Sequence, residues 1–226
     1  LSETKDESKS DKLIGENHLA NRLSYFLWNS SPDDELLQLA AQGKLSTQLD
    51  QQVERMVKDP KVMNFIKSFG KEWLRLDRLE SININIKKYP AFTRFVKRDM
   101  ALETYNFLRI ALYENLSILN FIDSDFAVLN QNLAEFYGID TVKGNSFRAV
   151  KLDKNRNRGG LISQASFLSG HSDGSQAHPI KRGIWLISKL LDYEPPPPPP
   201  NVPELDPKAP NFKGLTLKQQ LELHRD

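Results

Sequence analysis

Six consecutive prolines, Pro195 to Pro200, place the strongest constraint on this chain. Proline lacks a backbone N–H and fixes φ, so the run excludes helix and central strand. It prescribes polyproline II, at roughly 3.1 Å per residue. The run closes a stretch dense in local instructions, Arg158 to Leu205: RGGLISQASFLSGHSDGSQAHPIKRGIWLISKLLDYEPPPPPPNVPEL. A double glycine, a His/Ser/Asp-rich loop and an apolar helix precede the prolines. Direct attachment to a buried helix reads as a stiff strut over 195–203, leading to a further module. An exposed ligand for a proline-binding domain is the competing reading.

The chain of 226 residues, 39% hydrophobic and 27% charged, is long enough to bury a core. Its formal charge of +2 does not by itself call for a polyanionic partner. With no cysteine, it has no disulfide, thiolate zinc site, iron–sulfur cluster, covalent haem or thiol nucleophile of its own. No apolar run approaches the ~20 residues of a membrane span. The opening LSETKDESKSDK is polar and charged, unlike a signal peptide, and residues 1–15 are expected to form a disordered tail. The missing initiator Met suggests a processed or excised chain.

Helical periodicity dominates the chain from Asn17 onward. Asn17 to Trp28 places Leu19, Leu23, Phe26 and Leu27 on one face. In the next helix Ser31 is the candidate cap, Pro32 the first residue, Asp33, Asp34 and Glu35 the acidic turn, and Gly43 the stop. Ser46 opens a helix with Leu49, Val53, Met56 and Val57 inside, closed by Asp59-Pro60. Val62, Phe65, Ile66, Phe69, Trp73 and Leu76 form a stripe that reads as core. SININIKK (Ser81–Lys88) alternates with period two, but lacks an obvious partner and reads as an extended loop. The longest helix runs from Pro90 to about Tyr113, with Phe92, Val96, Met100, Phe107, Leu108 and Ala111 on one face.

That face also carries Asp99 and Glu103, an i,i+4 carboxylate pair. A metal or proton-handling pair is one reading. The favoured one is structural, with one carboxylate at the stripe's edge and the other paired to an Arg such as Arg22 or Arg94. No His lies one turn away, as helical carboxylate metal sites usually require. Asn115 to Asp125 reads as a turn and short helix, and Val128 to Tyr137 as a helix stopped by Gly138.

Between Lys143 and Arg158 six basic residues face only Asp153. Phe147 to Leu152 alternates, giving a short strand or hairpin near 146–152. The stretch marks a module boundary. A solvated basic loop or a patch facing an acidic partner is favoured over nucleic-acid binding, for want of aromatics and a recognition motif. The expected architecture is all-α, an irregular bundle with long loops: a helical domain over 16–142, and a smaller helical module with its proline strut over 143–226.

Gly159-Gly160 lets two pieces of backbone approach closely in a tight lead into a helix over Leu161–Ser169, a reading favoured over an anion-binding loop. The loop holding His171, Ser172, Asp173, Ser175 and His178 has residue types for a triad or a metal site. The spacing matches neither, and the same residues are turn formers. No catalytic or metal residue is therefore assigned. Pro179 starts a helix that is apolar nearly all round (Ile180, Ile184, Trp185, Ile187, Leu190, Leu191), predicting deep burial. Lys181 and Arg182 sit in its first turn, where cations oppose the helix dipole. They call for a carboxylate, propionate or phosphate nearby. Thr216 caps a last short amphipathic helix through His224, and the chain stops at Asp226 as though mid-architecture.

Several stretches carry a resemblance: LANRLSYFLWNSSPDDELL, QVERMVKDP, FAVLNQNLAEFYGI, FRAVKL, RGGLISQASFLSGHSDG, HPIKRGIWLISKLLDYEPPPPPPNVPEL and TLKQQLELHRD. Together they resemble the paired cytochrome-associated domains of unknown function of planctomycete-type exported multidomain proteins. The likeness spans nearly all of Asn17 to Asp226. In that family a Cys-x-x-Cys-His haem-attachment motif typically follows the segment resembling TLKQQLELHRD. The resemblance therefore implies export to the periplasm or cell surface, and a c-type haem in a domain downstream. It also implies a haem-domain partner in the same precursor or another cytochrome, with His224, Lys181, Arg182 and His178 as candidate haem-proximal residues. Some members have Thr-Ser-Pro where this chain has Ala177-His178-Pro179, which argues against His178 as an obligatory ligand. A non-catalytic module that positions a haem domain for electron transfer is the leading reading. An exported hydrolase or oxidoreductase on a polysaccharide-derived substrate, with its site at 171–182, and a partner-binding module using the prolines stand against it.

Overall fold

A computed structural model describes residues 15–153 and 158–196, together with Leu215, Thr216, Gln219 and Glu222. Among them are nine α-helices and one two-stranded antiparallel sheet, as a mainly helical fold requires. The chain divides into two compact units, Leu1–Gly183 and Ile184–Asp226.

The first unit begins with α1 (Glu16–Trp28) and α2 (Asp34–Ala41). The cap of α2 is Asp33 and not Ser31: its carboxylate accepts from Leu36 N at 3.1 Å and also pairs with Arg55 at 2.7 Å. One side chain thus serves the helix end and a cross-helix contact. Gly43, at φ 66°, closes α2 in a left-handed turn. Lys44 N donates to Leu39 O and Gly43 N to Ala40 O, the paired bonds of a Schellman motif. A 3-10 turn at Ser46–Gln48 leads into α3 (Leu49–Lys58). Ala20, Leu27, Trp28, Leu36, Leu45 and Met56 form one core, with the Trp28 indole donating to Met56 O.

Helices α4 (Val62–Leu74) and α5 (Leu76–Ser81) bury Val62, Ile66, Leu74, Leu76 and Leu79. The aromatic stripe read as core is displaced from it. Phe26 is 64% exposed and Phe69 37%, and Phe26, Phe65, Phe69, Trp73 and Phe121 form a ladder of ring contacts with centroids 5.1–5.8 Å apart. Val62, Ile66 and Leu76 of the stripe are inside as read, and Gly70 and Leu74 take the inner places next to Phe69 and Trp73. A stripe that wide in sequence could not tell core from flank. Residues 82–93 form an extended, turn-rich loop, as the missing partner strand implied.

Helix α6 (Arg94–Tyr113), capped by Thr93, is the central element. It buries Val96, Met100, Phe107, Leu108 and Ala111 as its periodicity predicts. After a 3-10 turn at Ile118–Phe121 comes strand β1 (Phe126–Leu129). Val128 and Leu129 are thus strand and not helix, because Asn130 caps α7 (Gln131–Phe136) through Leu133 N and blocks its extension backwards. Gly138 ends α7 with the same paired bonds as Gly43. Strand β2 (Arg148–Lys151) pairs with β1, Ala127 opposite Val150. The second core, including Met100, Leu129, Leu133, Ala134, Ile139 and Leu152, lies between α6, α7 and this sheet.

Leu161–Ser169 is not one helix. A 3-10 turn (Leu161–Ser163) and α8 (Ala165–Gly170) meet at Gln164, which is extended (ψ 145°). There its side chain accepts from Thr104 at 2.6 Å. Helix α9 (Pro179–Leu190) contradicts the expected deep burial: only Trp185 is buried, while Ile180 and Ile184 are 52% and 47% exposed. An apolar sequence favours burial but does not supply a covering surface.

In the second unit Tyr193 N donates to Ile187 O past a left-handed Asp192. Thr216 caps as predicted: Gln219 N donates to Thr216 Oγ1 and Thr216 N to Gln219 Oε1, a reciprocal capping box. His224 and most of the proline run lie outside the described residues, so neither the strut nor that histidine is placed.

Candidate functional site

The carboxylates singled out on α6 are both buried, Asp99 fully and Glu103 to 1% exposure. Neither pairs with Arg22 or Arg94. Asp99 accepts from Asn130 Nδ2 and Asn132 Nδ2 at 2.8 Å each, and from Arg98 at 2.7 Å. Burial works to raise its pKa, but these donors outweigh it and hold the carboxyl below its ordinary value. One turn later the balance reverses. Burial pushes Glu103 up to about 8, against the opposing pull of the Tyr137 hydroxyl and the Arg158 charge. Tyr137 Oη donates to Glu103 Oε2 at 2.5 Å and accepts from Ala165 N at 3.0 Å. Burial and the adjacent Glu103 raise the Tyr137 phenol in turn. The Arg158 guanidinium lies 3.7 Å from the Tyr137 ring centroid. Beside them, Thr104 Oγ1 contacts Gln164 and Ser166, both at 2.6 Å. At neutral pH this is an uncharged, protonated carboxyl beneath a cation, able to hold a proton.

Arg158 also lines a cleft of about 1010 Å³ with Asp123, Asp125, Asp153, Gly159 and Ser163. Gly159, the first of the double glycine, forms part of that wall. A Cβ on Gly159 would strike Ser124 O, and one on Gly160, at φ 68°, would come within 2.6 Å of Ile122 O. Close backbone approach is therefore its use, as the sequence indicated. Three carboxylates on the cleft do not make a metal centre. No group of three or more suitable ligands occurs among the described residues.

The histidine loop behaves as turn chemistry. Asp173 Oδ1 accepts from Ser175 N and Gln176 N, and Ser172 Oγ bonds Ser169 O and Gly174 N. His171 is buried against Phe167, its Nδ1 at 2.9 Å from Phe167 O. Packing of α8 on α5 brings Arg75 O near Gly170 and puts Arg75 and Arg78 within electrostatic range of this histidine. Burial lowers the His171 pKa, and the charges of Arg78, Arg75 and Arg182 lower it further. His178, half-buried, is depressed by burial and by Lys181, Arg78 and Arg182, with Asp173 opposing. Of the expected haem-proximal residues, Lys181, Arg182 and His178 thus fall together in one basic cluster. The cluster recruits Arg75 and Arg78, which sequence reasoning had not linked to it. Arg75 reaches Asp77 at 3.8 Å; no ion pair joins Arg78, Lys181 or Arg182 to a described residue.

Two family models cover these elements. One, described as Protein of unknown function (DUF1592) and named PSD4, matches residues 14–139, more than half of the chain. The chain belongs to that family. The other, Protein of unknown function (DUF1588), named PSCyt3, matches residues 158–226. Both are planctomycete-type cytochrome-associated domains of unknown function, so the resemblance seen in the sequence holds. Comparison with curated proteins and with solved structures finds no match.

Within this member of the family, Tyr137, Arg158 and Gln164 are the site residues that the sequence did not announce. The available signal was Tyr137 directly before the helix-stopping Gly138, a place where a side chain folds back on the core. Arg158 was read only as part of a basic stretch.

Proposed function

We propose that this chain is a non-catalytic helical module of an exported c-type cytochrome-like multidomain protein, and that it positions a haem domain for electron transfer. The observation that carries this reading is the cation cluster of Arg75, Arg78, Lys181 and Arg182. Cations in the first turn of α9 oppose its dipole, and an acidic surface or a pair of propionates would offset that cost. The exposed Ile180 beside them suits the apolar edge of such a partner. The name PSCyt3 and the cytochrome association of both families are consistent with this context. The division into a larger helical domain over 16–142 and a smaller module over 143–226 is part of the same proposal. So is location outside the cytoplasm. His224 is retained as a candidate ligand or packing residue for the haem.

The test is the chain extended through the haem-attachment motif that the family leads one to expect, studied by absorption spectroscopy and redox titration at low salt. Reversing Arg78 and Arg182 to Glu should lower the haem potential, because nearby positive charge favours the reduced state, and should weaken docking in a salt-dependent way. Substituting His224→Ala separately tests ligation. A potential indifferent to the charge reversal at low salt would sink the docking proposal.

A further inference from the structure

A second concavity, of about 440 Å³, lies between the 82–93 loop and the histidine loop. Its apolar walls are Ile84, Tyr89, Pro90, Ala91, Phe92 and Phe136, with Leu168 and Ala177. Ser169, Ser172 and Gln176 supply polar groups, and Lys88 is the one charged residue lining it among the described residues.

The walls are fastened together across some ninety residues of sequence. Asn85 N donates to Gly174 O at 2.9 Å, Lys88 Nζ to Ser175 O at 2.8 Å, and Tyr89 Oη to the same carbonyl at 2.9 Å. Gly174, at φ 88°, admits no side chain, since a Cβ there would strike Asn83 O. Phe92 and Phe136 meet edge to face at 6.4 Å and fix the aromatic side. A pocket of this size, apolar with a few polar groups at one edge, has the form of a small-molecule site. The lysine ammonium keeps donor capacity beyond its bond to Ser175 and no carboxylate lines the pocket, so the complementary charge is negative.

We infer that this pocket binds a small aromatic anion, its rings against Tyr89, Phe92 and Phe136 and its acidic group toward Lys88. This gives the His/Ser/Asp-rich loop a role as one wall of a binding pocket, independent of the haem-docking reading. The pocket shares no lining residue with the basic cluster.

Anilinonaphthalene sulfonate, an aromatic ring system with one anionic group, is a suitable probe. Titration of the native chain followed by fluorescence should show saturable binding of one probe per chain. Ala91 is exposed at the rim, so Ala91→Trp should fill the pocket without unfolding the chain and weaken binding by roughly tenfold or more, about 1.4 kcal/mol for each decade. Lys88→Met should weaken it about threefold, as loss of an exposed ion pair does, while Lys88→Arg should preserve it. Thermal melts of each variant check that the fold is retained. An Arg78→Glu/Arg182→Glu chain should bind the probe as the parent does. Binding that survives Ala91→Trp, or that disappears only when Arg78 and Arg182 are reversed, would overturn the inference, as would absence of saturable binding to the parent chain.

Discussion

Asp99 and Glu103 occupy successive turns of one helix, on one face, at nearly equal exposure, yet they are held in opposite protonation states. Asp99 meets two amide donors from the start of α7 and a guanidinium from its own neighbour. Glu103 meets one phenol, with the nearest cation stacked on that phenol's ring. Both are shut off from solvent, but Glu103 lies deeper and bears the heavier desolvation while Asp99 has more donors, and the two differences act together. Each strong donor favours the charged form, and one phenol does not match the cost of desolvation.

The comparison can be broken from either side. The largest effect should come from titrating Glu103. The native chain keeps a proton that the unfolded chain releases between about pH 4.5 and 8. Stability should therefore fall as pH rises through that window, by at most on the order of 5 kcal/mol. Denaturant unfolding across that range should show the slope in the parent and its loss in Glu103→Gln, which copies the protonated form. Asp99 acts in the opposite sense, its contribution being lost only in acid as the pH falls below the ordinary aspartate range.

Next in size, Asp99→Ala strands the amides of Asn130 and Asn132 and should cost about 3 kcal/mol at neutral pH, read from denaturant midpoints. Tyr137→Phe leaves Glu103 Oε2 and the Ala165 N–H without their shared hydroxyl, and should cost about 1.5 kcal/mol. It should also push the Glu103 midpoint further upward, visible as a shift of the pH slope. The smallest effect belongs to Arg98→Ala, since Arg98 is mostly exposed and its pairing with Asp99 is solvent-screened: about 0.5 kcal/mol, fading with added salt. A loss at Arg98 as large as that at Asp99 would mean that the guanidinium, not the two amides, keeps Asp99 charged.

This pair also shows what could be read in advance. Its spacing put both carboxylates on the apolar face of α6, and that was correct. The expected pairing with an Arg holds for Asp99, but the Arg is the adjacent Arg98 and neither Arg22 nor Arg94, and the remaining donors come from 31 or more residues downstream. The same limit governs the aromatic stripe of α4. Periodicity found the right side of the helix, but the packing of α6 chose Ile66, Gly70 and Leu74 over Phe65, Phe69 and Trp73. The basic first turn of α9 was visible as a local conflict with the helix dipole. Its companions Arg75 and Arg78 were not, since only the contact of α5 with α8 brings them there.

Local chemistry was settled by the chain itself: the helical periods, the glycine stops at Gly43 and Gly138, the Thr216 cap, the absence of cysteine chemistry and the close backbone approach at Gly159-Gly160. These depend on neighbours within a few residues, whose geometry bond rotation and hydrogen bonding restrict directly. Tertiary structure decided which apolar residues are covered, which carboxylate keeps its proton, and which distant cations and loops converge into a site. Such outcomes depend on donors, charges and surfaces supplied by segments remote in sequence, and no local pattern specifies those.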